Sequence, residues 1–218
     1  MQLARDGAEH HRAAITQPDL AALESALSEV PPSRPGTRLV GNPVLSALLA
    51  PDGAIGRHVA DRLGPAARPV RALLFNKTAA NNWSLPWHQD RTIAVRRRIA
   101  TPGYENWTVK SGIQHVEPPI TLLERMLTLR IHLDDTGPDN APLLISPGTH
   151  RLGRVPEPQI ASVIAHHGAH PCLAARGDAW IYATPILHAS EAARQGRSRR
   201  VLHIDYSIDT LPNGLRWP

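Results

Sequence analysis

The chain reads as an α+β, mainly β domain whose core is a β-sandwich or barrel preceded by helices. Three observations lead there. Helical spacing dominates residues 1–65. From Val70 onward, short apolar or alternating runs follow one another, separated by Gly and Pro. With 218 residues and 42% hydrophobic content, the chain can bury a core as a single domain, residues 1–218.

The elements follow in order. Leu20, Leu23, Leu27 and Val30 mark a helix over Thr16–Val30, with Thr16 as cap and Pro18 and Asp19 in its first turn. After a Pro/Arg-rich loop come two short helices, Pro43–Ala50 and Ala54–Leu63. Strands are expected at 70–76, 91–97, 126–133, 142–146, 170–174, 178–183, 186–190 and 200–208, interrupted by a weaker helix over Pro158–His167. The stretch from Ile99 to Glu124 resembles neither, and a long irregular segment in a compact domain is usually functional.

Composition narrows the function. Formal net charge is +5, yet Lys77 and Lys110 are the only lysines. A GC-rich coding sequence produces that bias; so would sites for small anions, because the planar guanidinium grips carboxylates in pairs. The Arg96–Arg97–Arg98 run is too short for a nucleic-acid surface. One cysteine, Cys172, excludes an internal disulfide and a cysteine-based zinc cluster. The first residues hold no apolar signal core, and no apolar run approaches membrane-spanning length, so a cytoplasmic location is expected. No P-loop, dinucleotide fingerprint or nucleophile elbow is present.

The chemistry lies in the histidines. On a strand, a His-x-Asp pair puts both side chains on one side, which suits a metal held by two histidines and one carboxylate. Three such pairs occur: His88/Asp90, His132/Asp134 and His203/Asp205. Twelve His and eleven Asp predict about 0.6 by chance, so the tripeptide alone is weak. Context favours the first, which follows a Pro-bounded turn and precedes a strand. His132/Asp134 lies deep in a strong strand, and no histidine follows His203/Asp205. His188 then supplies the third ligand. Arg199, eleven residues on across the turn ARQGRS, can bind the distal carboxylate of a metal-chelated keto acid. Arg200 should face the other way, a choice resting on register.

Taken together, WHQD (87–90), LRIHLDDT (129–136), DNAPLLISPGTHR (139–151) and GDAWIYATPILHAS (177–190) with Arg199 beyond resemble the phytanoyl-CoA dioxygenase-like family of Fe(II)/2-oxoglutarate oxygenases. The resemblance spans about Val70–Ile208. It implies a double-stranded β-helix (jelly-roll, cupin-like) core over 70–208, with the N-terminal helices packed outside. It implies Fe(II) on His88, Asp90 and His188, with 2-oxoglutarate and O₂ as cosubstrates. Arg199 becomes the 2-oxoglutarate anchor, and Ser190 matches a cosubstrate-contacting position. Arg130, with Thr128 on the same face, falls near the cosubstrate, and His132 becomes a pocket wall. Ala141 and Ala189 stand where the family often has Gly, and the long 91–125 segment is less typical; it is expected to be a lid.

The reaction so implied oxidises, most simply hydroxylates, a small organic molecule and releases succinate and CO₂; the basic residues near the expected mouth favour an anionic or zwitterionic substrate. The presence of Asp90 argues against halogenation, since related halogenases lack that carboxylate. Lys77, Asn82, Arg91, Trp107, Lys110 and Gln114 flank the expected mouth and are the candidate substrate contacts. Neither a nucleic-acid nor a membrane partner is expected. The alternatives are a cupin-like metal-binding protein or isomerase without 2-oxoglutarate chemistry, and a zinc hydrolase, which lacks an evident general base.

Overall fold

The computed structural model describes residues 1–194 and 198–218. Its strands in chain order are β1 (Ala8–His11), β2 (Gly36–Arg38), β3 (Arg68–Lys77), β4 (Leu85–His88), β5 (Ile93–Val95), β6 (Glu105–Lys110), β7 (Ile113–Glu117), β8 (Leu127–His132), β9 (Leu143–Ile145), β10 (His170–Cys172), β11 (Ala179–Ala183), β12 (His188–Ser190) and β13 (Arg199–Ser207). The helices are α1 (Leu3–Asp6), α2 (Gln17–Ala26), α3 (Pro43–Leu49), α4 (Arg57–Leu63), α5 (Ile120–Leu123) and α6 (Ile160–His167).

A major sheet runs β1-β11-β8-β13-β3-β2 and a minor sheet β10-β9-β12-β4, with antiparallel pairing throughout. Together they make the double-stranded β-helix, with the N-terminal helices outside. The period-2 alternation of β-strands explains how one sheet serves two environments. Leu74, Leu129, Ile131, Ile181, Leu202, Ile204 and Tyr206 face out onto Leu20, Leu23, Leu45, Leu49 and Val59 of the helices. Their strand neighbours Lys77, Thr128, Arg130, His132, Arg199, His203 and Asp205 are buried and polar. Cross-strand register ranks them in layers: Arg199 opposite Lys77, His203 between Leu73 and Arg130, and Asp205 between Arg71 and Thr128.

The helix starts follow local chemistry. Thr16 Oγ1 accepts from Asp19 N at 3.3 Å and donates to its carboxylate at 2.6 Å, capping α2. Asn42 caps α3 by accepting from Leu45 N at 2.9 Å. The expected helix to Val30 stops at Ala26, and Leu27 closes it.

The expected irregularity of Ile99–Glu124 is a correction. Within 91–125, β5, β7 and β6 form a three-stranded sheet. It has its own core, in which Ile93, Val95, Tyr104 and Val116 pack on Val70, Leu122, Leu123, Met126 and Leu215. The signal was Ser111-Gly112. Both residues have positive φ (49° and 77°) and join β6 to β7 as a two-residue hairpin turn. Arg38 on β2 ties this sheet to the barrel by donating to His115 Nε2 at 2.8 Å.

The route from His188 to Arg199 also differs from expectation. β12 pairs with β4 and β9, whereas β13 pairs with β3 and β8. The two residues therefore sit on opposite sheets and meet across the interior, not along a hairpin. Part of the expected turn, residues 195–197, lies outside the described residues.

Candidate metal and anion site

Strand β4 ends at His88, directly opposite His188 of β12, and Asp90 lies two residues beyond. One ligand atom from each of His88, Asp90 and His188 lies within 4.8 Å of the others, the only such group among the described residues. The rings are 4.3 Å apart between centroids and tilted by 55°. Each histidine is oriented by its own backbone. His88 Nδ1 donates to Pro86 O at 2.7 Å and His188 Nδ1 to Ile186 O at 3.0 Å. That bond fixes the tautomer and leaves Nε2 as a lone-pair donor, the usual support of a metal-ligating imidazole. Burial lowers the His188 pKa to about 4, so the ring is neutral, as ligation requires. Burial by itself would raise the Asp90 carboxyl; Arg71, then His188, outweigh it and hold it below its ordinary range. Two free imidazole nitrogens and one ionised carboxylate oxygen fit a ferrous ion with positions left open.

The intervening Gln89 points away and staples the site to its surroundings. Its amide donates to Gly153 O at 2.9 Å and Pro185 O at 2.8 Å, and accepts from Val155 N at 2.9 Å. Sequence reading passed over it; strict alternation on a strand was the available signal.

Next to these ligands a cavity of about 110 Å³ runs to Arg199, lined by Phe75, Lys77, Trp83, Arg130, Ser190 and His203 among others. Lys77, Arg130 and Arg199 are 1%, 6% and 3% exposed. Among the described residues none of the three pairs with a carboxylate. Lys77 Nζ donates to Ser190 Oγ at 3.0 Å and to Glu191 O at 2.6 Å, and sits 5.0 Å from the Trp83 ring centre. Arg199 donates to Ala141 O, while Nε of Arg199 and of Arg130 have no partner. Burial first, then Arg199 and Arg130, press the Lys77 pKa down to about 8. Three buried cations without a counter-charge are costly unless an anion enters. The donor set fits a carboxylate chain such as 2-oxoglutarate.

The remaining expectations divide. Ser190 lines the cavity, but Thr128 does not; its hydroxyl is consumed by Asp205 Oδ1 at 3.0 Å. His132 is buried and bonded to Thr136 Oγ1 at 2.9 Å, outside the cavity lining. Arg200 faces out, onto Asp134 and Glu24. Of the candidate substrate contacts, only Lys77 lines the cavity, and it does so at the Arg199 end. Asn82 exchanges hydrogen bonds with the Ala193 backbone at 2.8 and 2.7 Å. Arg91 turns to Val155 O at 2.7 Å and Glu157 at 3.6 Å. Trp107 packs on the core of the three-stranded sheet beneath Arg98, Lys110 is exposed at the β6–β7 hairpin, and Gln114 lies on β7. The unexpected neighbours are Arg71, His203 and Asp205. The third His-x-Asp pair holds no metal position, but it packs beside the first through Arg71.

Residues 6–201 match the family model described as phytanoyl-CoA dioxygenase (PhyH). Among solved structures, the chain is similar to EctD from S. alaskensis with 2-oxoglutarate and 5-hydroxyectoine (18% identity, TM-score 0.71, covering 94% of this chain and 73% of that one). It is also similar to AviO1 from Streptomyces viridochromogenes Tue57 (20%, 0.63, 99% and 95%). A third is HygX from Streptomyces hygroscopicus with nickel, 2-oxoglutarate and hygromycin B bound (15%, 0.62, 94% and 84%). These identities speak to the fold. No curated protein matches significantly. No helix of the described residues is long and apolar enough to cross a membrane. The chain belongs to the phytanoyl-CoA dioxygenase family, and so to the non-haem iron, 2-oxoglutarate-dependent dioxygenases.

Proposed function

We propose that this member of the phytanoyl-CoA dioxygenase family hydroxylates a small anionic or zwitterionic organic molecule, with His88, Asp90 and His188 as iron ligands and Arg199, Lys77 and Ser190 gripping the distal carboxylate of 2-oxoglutarate. One observation carries the reading: three ligand atoms within 4.8 Å of one another open onto a cavity whose far end holds two buried, unpaired cations. When bound, iron and 2-oxoglutarate supply the oxidising power, with succinate and CO₂ as by-products.

The chain's own residues do the rest. His88 and His188 present Nε2 because Nδ1 is spoken for. Arg199 offers its unpartnered Nε, and Lys77 and Ser190 complete a three-donor cradle. Phe75, Trp83, Leu73 and Leu85 line the cavity and limit water. Asp90 keeps the carboxylate position occupied, which favours hydroxylation over halide transfer. Arg130 remains as a third unpaired cation, which favours an anionic group on the substrate.

The experiment is anaerobic addition of Fe(II) and 2-oxoglutarate to the metal-free protein. The expected outcome is a weak visible charge-transfer absorption, lost in Asp90→Ala and weakened in Arg199→Ala, followed by succinate formation in air across a panel of small acids and amino acids. A protein that binds iron but gives neither the absorption nor succinate refutes the reading.

A further inference from the structure

Asp90 lies past the end of its strand, and among the described residues it has one hydrogen-bond partner, the Arg71 guanidinium, whose Nη2 reaches Oδ2 at 3.3 Å. Arg71 is itself fixed. Its Nε donates to Asp205 Oδ2, while Asp205 Oδ1 accepts from Thr128 Oγ1 at 3.0 Å and lies 3.1 Å from His203 Nε2, which is itself 3.3 Å from Arg71 Nη2. Arg71 and Asp205 are direct cross-strand partners on β3 and β13, in the middle of the major sheet. Their side chains are 13% and 5% exposed. The network thus reaches from paired strands of the major sheet to a ligand on a loop.

We infer that Arg71, braced by Asp205, is a positioning residue that ties down one oxygen of Asp90 so that only the other can ligate. The inference rests on the metal site proposed above. A free carboxylate beside a divalent cation can swing to chelate through both oxygens and so take up a second coordination position. A donor held on Oδ2 opposes that swing and keeps positions open for the keto acid and O₂. Asp205 supplies the countercharge that makes a buried guanidinium tolerable there. This gives the third His-x-Asp pair its role: it supports the ligand supplied by the first.

The test measures metal binding, not turnover. Metal-free parent, Arg71→Lys and the double variant Arg71→Met/Asp205→Asn are titrated with Mn(II), followed by loss of the free-ion EPR signal, and their Co(II) complexes are compared by visible absorption. The double variant removes both charges of the buried pair together, so no buried charge is stranded between the strands. Its Co(II) band pattern should change toward that of a higher coordination number, its Mn(II) affinity should shift by about 10- to 100-fold, and Arg71→Lys should reverse part of both changes. Mn(II) affinity within about twofold of the parent, with an unchanged Co(II) spectrum, overturns the inference and leaves the metal site intact. A parent that binds no Mn(II) refutes the site itself.

Discussion

Raising the pH should release the cosubstrate through Lys77. Burial and the neighbouring cations Arg199 and Arg130 place its pKa at about 8, against an ordinary 10.5. The charged amine is the form that pairs with a carboxylate, and it predominates below that value. Above it the amine loses its proton and the cradle loses a charge. Arg199 is pressed downward too, but a guanidinium keeps its proton through this range. If only the protonated form binds, going from pH 7 to pH 9 lowers its fraction about tenfold, and the dissociation constant of 2-oxoglutarate rises by the same factor. Anaerobic calorimetry with the Mn(II)-loaded protein reads this directly, because binding above pH 8 should also take up a proton, visible as a buffer-dependent enthalpy. Lys77→Met should bind about tenfold or more weakly at pH 7 and lose the slope between pH 7 and 9. An equal slope in Lys77→Met would mean that another group titrates, and the role given to Lys77 would fall.

Two further outcomes follow from residues around the site. Gln89→Ala strands two carbonyls and one amide, and should destabilise the protein by about 2–4 kcal/mol in denaturant unfolding; a loss below about 0.5 kcal/mol would mean that the staple is dispensable. Trp107→Ala and Lys110→Ala, which truncate side chains outside the cavity lining, should leave KM for the primary substrate within about twofold; a tenfold rise in either would show that the lid sheet closes on the substrate.

Much was legible because it is local. The caps, the short helices and most strands follow from spacing and from Pro and Gly, which act over a few residues. β4 was missed because Leu85-Pro86-Trp87-His88 carries no alternation and becomes a strand only by pairing with β12. The β6–β7 hairpin was missed because β6 is largely exposed, so no apolar period marks it. Lys77 was noticed as a basic residue near a mouth; its partnership with Arg199 depends on which strands are neighbours.

The amino-acid sequence alone determined the ingredients: which side chains share a face on each strand, where a metal pair is sterically possible, and that three such pairs exist. Tertiary structure decided among them. His88, Asp90 and His188 converge, Asp134 turns outward to Arg200, and Asp205 turns inward to brace Arg71. The physical reason is that spacing sets only the relative direction of neighbouring side chains. Whether that direction is inward, and what stands opposite, is settled by register between strands far apart in the chain and by the closing of two sheets over one another.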